Sequence, residues 1–356
     1  MRIVSVMRKV CLVLAVLPSV VMAVEPSVSA LVPYGVRRGG ETEVVFRGAR
    51  LGDAEQLLFY EPGIETKKIE KVDDNACKAT LLVGPDCPLG VKGVRVRTAT
   101  GISNLMLLSV GALPVVEEKE PNNEFSTPQP IEMNYTVHGL VQNEDVDYFV
   151  VEARKGERLT AEIEGVRLGM TFFDPYLAIL NTERFELSRS DDAALCRQDG
   201  VCSILVPQDG KYIIEVRETS YGGNGASNYR LHVGSFPRPT AVMPAGGRPG
   251  ETVEFTYLGD PTGPFSEKVT LPSQVASPEF ELFAQDAKGM APSPNLVRVV
   301  DLPNFIEAEP NDAAAQATAA SGPGALNGVI QQPGDVDLYK ISAKKGEQYD
   351  VRVHAR

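Results

Sequence analysis

Residues 145–165 read DVDYFVVEARKGERLTAEIEG. The end of this stretch alternates: Leu159, Ala161 and Ile163 interleave with Thr160, Glu162 and Glu164. Successive side chains of a strand point to opposite faces, so a period of two predicts a half-buried strand, apolar side on a core and polar side in water. The same period recurs in KYIIEVRE (211–218) through Tyr212, Ile214 and Val216, in NYRLHVG (228–234) through Tyr229, Leu231 and Val233, and in VRVRT (94–98). Turn signals separate these runs: DG at 199–200 and 209–210, and GGNG at 222–225, which reads as a hairpin loop. Helical periodicity is weak; DAAAQATAA (312–320) alone suits a helical turn or two. Short strands between regular turns predict an all-β chain of tandem β-sandwich domains.

Working outward, the chain repeats itself. DVDYF (145–149) matches DVDLY (335–339), and KGE at 155–157 matches KGE at 345–347. Upstream of each lies an acidic motif, EKEPNNE at 118–124 and EAEPND at 307–312. The interval from Glu120 to Asp145 is 25 residues and that from Glu309 to Asp335 is 26; Asp147 to Gly156 and Asp337 to Gly346 are both 9. Farther upstream, LVPYGVRRGGETEVVFRG (31–48) parallels VMPAGGRPGETVEFTYLG (242–259). A smaller unit followed by a larger one is therefore written twice. The expected boundaries are 26–114 and 237–303 for the smaller unit and 115–236 and 304–356 for the larger, with the last copy incomplete.

The acidic motif carries the candidate chemistry. Calcium takes six to eight hard oxygens from carboxylates, amides and carbonyls. Glu118, Glu120, Asn122 and Asn123 offer four such side chains within six residues. Pro121 favours an extended run, which would throw Glu118, Glu120 and Asn122 to one side. Asp145 and Asp147 stand as a pair at a repeated distance and can complete a cage from a second segment. The second copy offers Glu307, Glu309, Asn311, Asp312 and Asp335. Asn123 stands where the second copy has Asp312, so the first site carries less charge and is expected to bind more weakly. The competing reading is a solvated acidic linker whose Asn residues cap turns.

Bulk properties narrow the class. The 356-residue chain carries a net charge of −12, which argues against a nucleic-acid partner. Arg2, Arg8 and Lys9 precede an apolar run, VCLVLAVLPSVVMA, with Val21 and Ala23 placed for cleavage after residue 23; this reads as a secretory signal, and no later run has spanning length. Behind it, Cys77 with Cys87 and Cys196 with Cys202 form two close pairs, expected as disulfides in an exported protein, with four unpaired thiols as the alternative. His138, His232 and His354 each stand alone, and no zinc, serine-hydrolase or phosphate-loop motif appears. Nothing points to catalysis. Tyr221, beside GGNG, is the best candidate for an exposed contact.

Residues 118–234, through EPNN, GLVQNEDVDYFVVEARKGERLTAEIEG, DPYLAIL, VPQDGKYIIEVRE and YGGNGASNYRLHVG, resemble the bacterial pre-peptidase C-terminal (PPC) domain. Residues 31–48 resemble IPT/TIG Ig-like domains. The resemblance implies jelly-roll-like sandwiches appended to secreted proteases and surface proteins. It also implies calcium ligands in the acidic segment and at Asp145, as in the collagen-binding relatives. The expected protein is secreted, periplasmic or on the cell surface. It is expected to be a non-catalytic binding or adhesion protein, with an extracellular protein or polysaccharide as its partner. The alternative is a set of accessory domains of an exported hydrolase, such as a peptidase, whose catalytic domain lies elsewhere. A bare spacer is the third reading.

Overall fold

The computed structural model describes residues 25–275 and 277–355. The segment expected to be a secretory signal, 1–23, lies outside the described residues. The fold is all-β, as tandem sandwiches. Among the described residues the one helical element is a 3-10 turn, Val166–Leu168.

The first sandwich sets one sheet, in the order Ser27–Val32, Gly40–Ala49, Ala76–Val83, Ile64–Asp73, against another, Gly35–Arg37, Met106–Gly111, Gly90–Thr98, Ala54–Phe59. Leu31, Val44, Phe46, Leu81, Val96 and Leu108 are buried between them.

The second sandwich has two five-stranded sheets. One runs Val115–Glu117, Tyr135–Leu140, Asn228–Gly234, Arg158–Glu164, Val201–Leu205. The other runs Gln129–Pro130, Val146–Ala153, Gly210–Glu218, Pro175–Asn181, Glu186–Ser190. Every apolar position picked out by the period of two faces the shared core: Leu159, Ala161, Ile163, Tyr212, Ile214, Val216, Tyr229, Leu231 and Val233. Burying each large side chain contributes about 1.5–3 kcal/mol. The GGNG segment closes no hairpin. It carries the chain from Gly210–Glu218 in one sheet to Asn228–Gly234 in the other.

The third sandwich is smaller: Ala241–Met243, Thr252–Leu258 and Phe265–Thr270 face Gly246–Gly247, Asn295–Val299 and Glu279–Leu282. A short hairpin, Gln285–Asp286 with Gly289–Met290, leaves its edge. Residues 301–355 then form two parallel pairs, Asn304–Ile306 with Ala325–Asn327 and Thr318–Ala320 with Tyr339–Ile341. These reproduce the parallel pairs that open the second sandwich, Val115–Glu117 with Tyr135–Leu140 and Gln129–Pro130 with Val146–Ala153. The run at 312–320 holds no helix. Gln316 N–H bonds the Ala313 carbonyl in a turn, and a strand starts at Thr318.

The expected disulfides are not formed. Cys77, Cys87, Cys196 and Cys202 are free, buried thiols. Cys77 sits opposite Phe46 within the first sandwich, while Cys87 lies in the following loop, its sulfur near the Pro62 and Pro88 carbonyls. Cys202 Sγ faces the Leu177 carbonyl at 3.3 Å; Cys196 Sγ accepts from Arg238 Nη2 at 3.1 Å. The paired residues are close in sequence, but each sulfur is directed to its own surroundings.

Candidate metal centre

The acidic motif follows directly from the strand Val115–Glu117. Glu118 N–H still bonds the His138 carbonyl, and the chain then leaves the sheet. No strand covers 118–124, and the Glu120–Pro121 bond is cis, as is Glu309–Pro310. The expected extended run is bent at Glu120. Its convergence comes from hydrogen bonds: Asn122 N–H donates to Glu120 Oε2 (3.0 Å) and to Asn123 Oδ1 (3.2 Å), and Asn122 Nδ2 donates to Glu118 Oε1 (3.1 Å). The Asn122 carbonyl accepts from Tyr148 N–H at 3.0 Å, tying the segment to the strand that carries Asp147.

Glu118, Glu120 and Asp147 converge, with a carboxylate oxygen of each within 4.8 Å of the others. Asp147 and Asn122 are buried. Tyr229 hydroxyl lies 2.8 Å from both Glu118 Oε1 and Asp147 Oδ2. A hydroxyl has one proton to donate, so it satisfies one of these carboxylates at a time. Burial, then the charges of Asp147 and Glu118, push the Tyr229 hydroxyl well above its ordinary range, so it stays protonated. Burial first, then the Glu118 charge, push the Asp147 carboxyl up to about 10. Burial, then Asp145 and Glu118, also raise Glu120 against the opposing hydrogen bond from Asn122 N–H. This pocket holds more negative charge than its own donors can offset, so it calls for a proton or a cation.

Two buried oxygens, Asp147 Oδ1 and Asn122 Oδ1, have no hydrogen-bond partner. Orphaned acceptors beside converging carboxylates are a donor set suited to a hard cation. Asp145 is placed differently. Its oxygens accept from Asn123 Nδ2 (2.5 Å) and from Gln142 N–H (3.0 Å), so it braces the loop beside the three-carboxylate group.

The second copy repeats this frame. Glu307 accepts from Val329 N–H (2.8 Å) as Glu118 accepts from Leu140 N–H (2.9 Å). Glu309 accepts from Asn311 N–H (2.9 Å), and Asp335 from Gln331 N–H (2.6 Å). Asp312 Oδ1 accepts from Val336 N–H at 3.1 Å. Glu307, Glu309 and Asp337 form the matching cluster. Glu307 Oε2, Asp337 Oδ1 and both polar atoms of Asn311 are buried without partners. Asp337 is absent from the sequence-predicted ligands; the match of DVDYF to DVDLY was the signal that could have supplied it.

Elsewhere, His138 is half-buried and His232 buried, both in strands, and His354 is exposed. Tyr221 is half-exposed, with the Arg217 guanidinium 4.5 Å from its ring and 3.8 Å from the Tyr176 ring. Among the described residues no helix is long and apolar enough to cross a membrane.

No protein-family profile matches the chain, and no curated protein matches it. Among solved structures it is similar to the pre-peptidase C-terminal domain of a collagenase from Bacillus anthracis, at 14% identity over 33% of this chain and 99% of that one, TM-score 0.24. SGBP-B of a Bacteroides ovatus mixed-linkage glucan utilization locus, solved in complex with a mixed-linkage heptasaccharide, is 9% identical over 60% of this chain and 76% of that one, TM-score 0.22. The adhesin InvE of Yersinia pseudotuberculosis is 12% identical over 68% and 57%, TM-score 0.19.

Proposed function

We propose that the chain is an exported, non-catalytic binding protein whose two acidic segments each hold a calcium ion. The observation that carries the calcium reading is the shared Tyr229 hydroxyl: two carboxylates compete for one proton beside buried, unpartnered Asp147 Oδ1 and Asn122 Oδ1. Glu118, Glu120, Asp147 and Asn122 would hold the first ion, and Glu307, Glu309, Asp337 and Asn311 the second. Asp145 and Asp335 position the neighbouring loop. Calcium suits these hard oxygens, and at extracellular concentrations even weak sites fill. The bound ion offsets the carboxylate repulsion and ties each acidic segment to its sheet. Export is supported by the signal-like N-terminal segment. Half-exposed Tyr221 is the candidate contact for an extracellular protein or polysaccharide.

Calorimetric titration of the chain with calcium, alongside thermal melting in calcium and in chelator, tests the reading. Binding heat and a rise in melting temperature are expected. No heat together with no shift overturns it.

A further inference from the structure

The polar face of the Arg158–Glu164 strand meets protein on both sides. Toward the first sandwich, Glu164 Oε2 accepts from Arg230 Nη1 (2.7 Å) and from Ser109 Oγ (3.1 Å), and Arg230 also donates to Ser109. Toward the third, Arg158 donates to Asp260 (2.8 Å) and Asp286 (2.5 Å). Glu162 accepts from Arg238 Nε (2.5 Å), from Arg167 Nη2 (3.0 Å) and from Ser293, while Arg167 Nη1 reaches Ser293 at 2.7 Å.

The hairpin of the third sandwich, with Glu281 and Phe283 just before it, meets the first unit; a Cβ added to Gly90 would lie 3.8 Å from Glu281 Oε2. In the hairpin of the third sandwich, Asp286 turns to Arg158 of the second, while Met290 Sδ accepts from Arg38 Nη2 of the first at 3.7 Å. Phe283 and Met290 pack on the core of the first sandwich. The first sandwich has the corresponding hairpin, Arg97–Thr98 with Gly101–Ile102, in the same two-pair register. It has Thr98 where the third unit has Asp286, and Ile102 is exposed. The docking is therefore a property of this hairpin's residues rather than of the unit's architecture.

We propose that the Gln285–Met290 hairpin is a strap that closes the first three sandwiches into one rigid body, and that this closure needs no metal. Neighbouring domains in one chain move relative to each other by default unless the interface is extensive. Here contacts run from first to second, second to third and third back to first, so a hinge at either linker would also break the contacts between the first and third units. Arginine–carboxylate pairs with buried partners also fix geometry closely, because a planar donor fork sets both distance and angle.

The test is the distance between spin labels on the first and third units of the full chain, at Glu41→Cys and Lys268→Cys, both exposed positions. Among the described residues the native thiols, Cys77, Cys87, Cys196 and Cys202, are buried and escape labelling; Cys11 is replaced by Ser in the labelled protein. A single narrow distance is expected, identical in calcium and in chelator. The pair Asp286→Ala and Met290→Ser, which leaves the Arg158–Asp260 bond in place, should lose that narrow peak while each core keeps its strand signal in circular dichroism. A broad distribution in the parent chain, broadening on chelation alone, or an unchanged peak in the doubly substituted chain overturns the proposal. The calcium reading stands or falls separately, by calorimetry.

Discussion

Glu164 and Arg230 meet at 2.7 Å on the outer face of a sheet, both buried beneath the first sandwich. The Arg230 guanidinium lies against Gly35 and Gly111, where an added Cβ would collide with it. Arg230 is thus the fixed centre of the joint between the first two units. Replacing it by Met takes the guanidinium away from buried Glu164, leaving it the Ser109 hydroxyl and the His232 ring at 3.4 Å; removing one partner of a buried pair costs about 3–5 kcal/mol. Substituting Glu164→Leu along with Arg230→Met should recover much of that loss. Urea denaturation of the two single variants and the double variant measures it; strictly additive losses would show that the pair is not coupled.

This joint marks the limit of what sequence legibility could reach. Alternation placed Leu159, Ala161, Ile163, Leu231 and Val233 on the core because period two reports the inward face without ambiguity. It put Glu162, Glu164, Arg230 and His232 in water, and all four are buried. A polar outer face looks the same in sequence whether it meets solvent or the polar face of another domain. Its partners lie far along the chain, as with Arg158 and Asp260 or Arg167 and Ser293, and no local pattern announces them. The acidic motif was legible as a candidate cluster because it is compact and repeated. The division of labour between Asp145 and Asp147 was not, since it depends on the reach of Asn123 and on the Tyr229 hydroxyl, which comes from a strand about 80 residues later.

Asp147→Asn should have opposite effects with and without calcium. It removes one buried carboxylate from a group already short of positive charge, so the chelated protein should melt higher than the parent. It also removes a proposed ligand, so the expected calcium-dependent rise in melting temperature should shrink. Thermal melts in chelator and in millimolar calcium check both signs. A variant less stable than the parent in chelator would contradict the electrostatic account.

Glu162 sets a pH dependence. Burial pushes its carboxyl upward, but Arg238, Arg167 and His232 together outweigh that and hold it down at about 2. A carboxyl depressed in the folded state from an unfolded value of about 4.3 stabilises fully above that value and loses its contribution as pH falls through the folded one. The window is therefore roughly pH 4.3 to 2, and the shift corresponds to about 3 kcal/mol. Glu162→Gln should lower stability at neutral pH and flatten the acid limb of the stability curve within that window. Denaturation midpoints across this range measure it, and a variant whose acid limb parallels the parent's would count against Glu162.

The thiols give the last prediction. Burial pushes Cys77 up to about 11, and does the same for Cys202, to about 12. For Cys196, burial and then the Glu162 charge outweigh the pull of Arg238 and Arg167, giving about 11. Reactivity belongs to the thiolate, so these sulfurs should be inert in the folded chain at pH 8 and react only after unfolding. In the chain from residue 25 onward, four equivalents of thiol reagent should be consumed in denaturant without any reductant. Reductant should also leave the melting temperature unchanged. Two short-loop disulfides would instead contribute roughly 2–3 kcal/mol each, so their reduction would lower melting by many degrees. Loss of thiol titre, with a reductant-sensitive melt, would restore the pairing that the cysteine spacing first suggested.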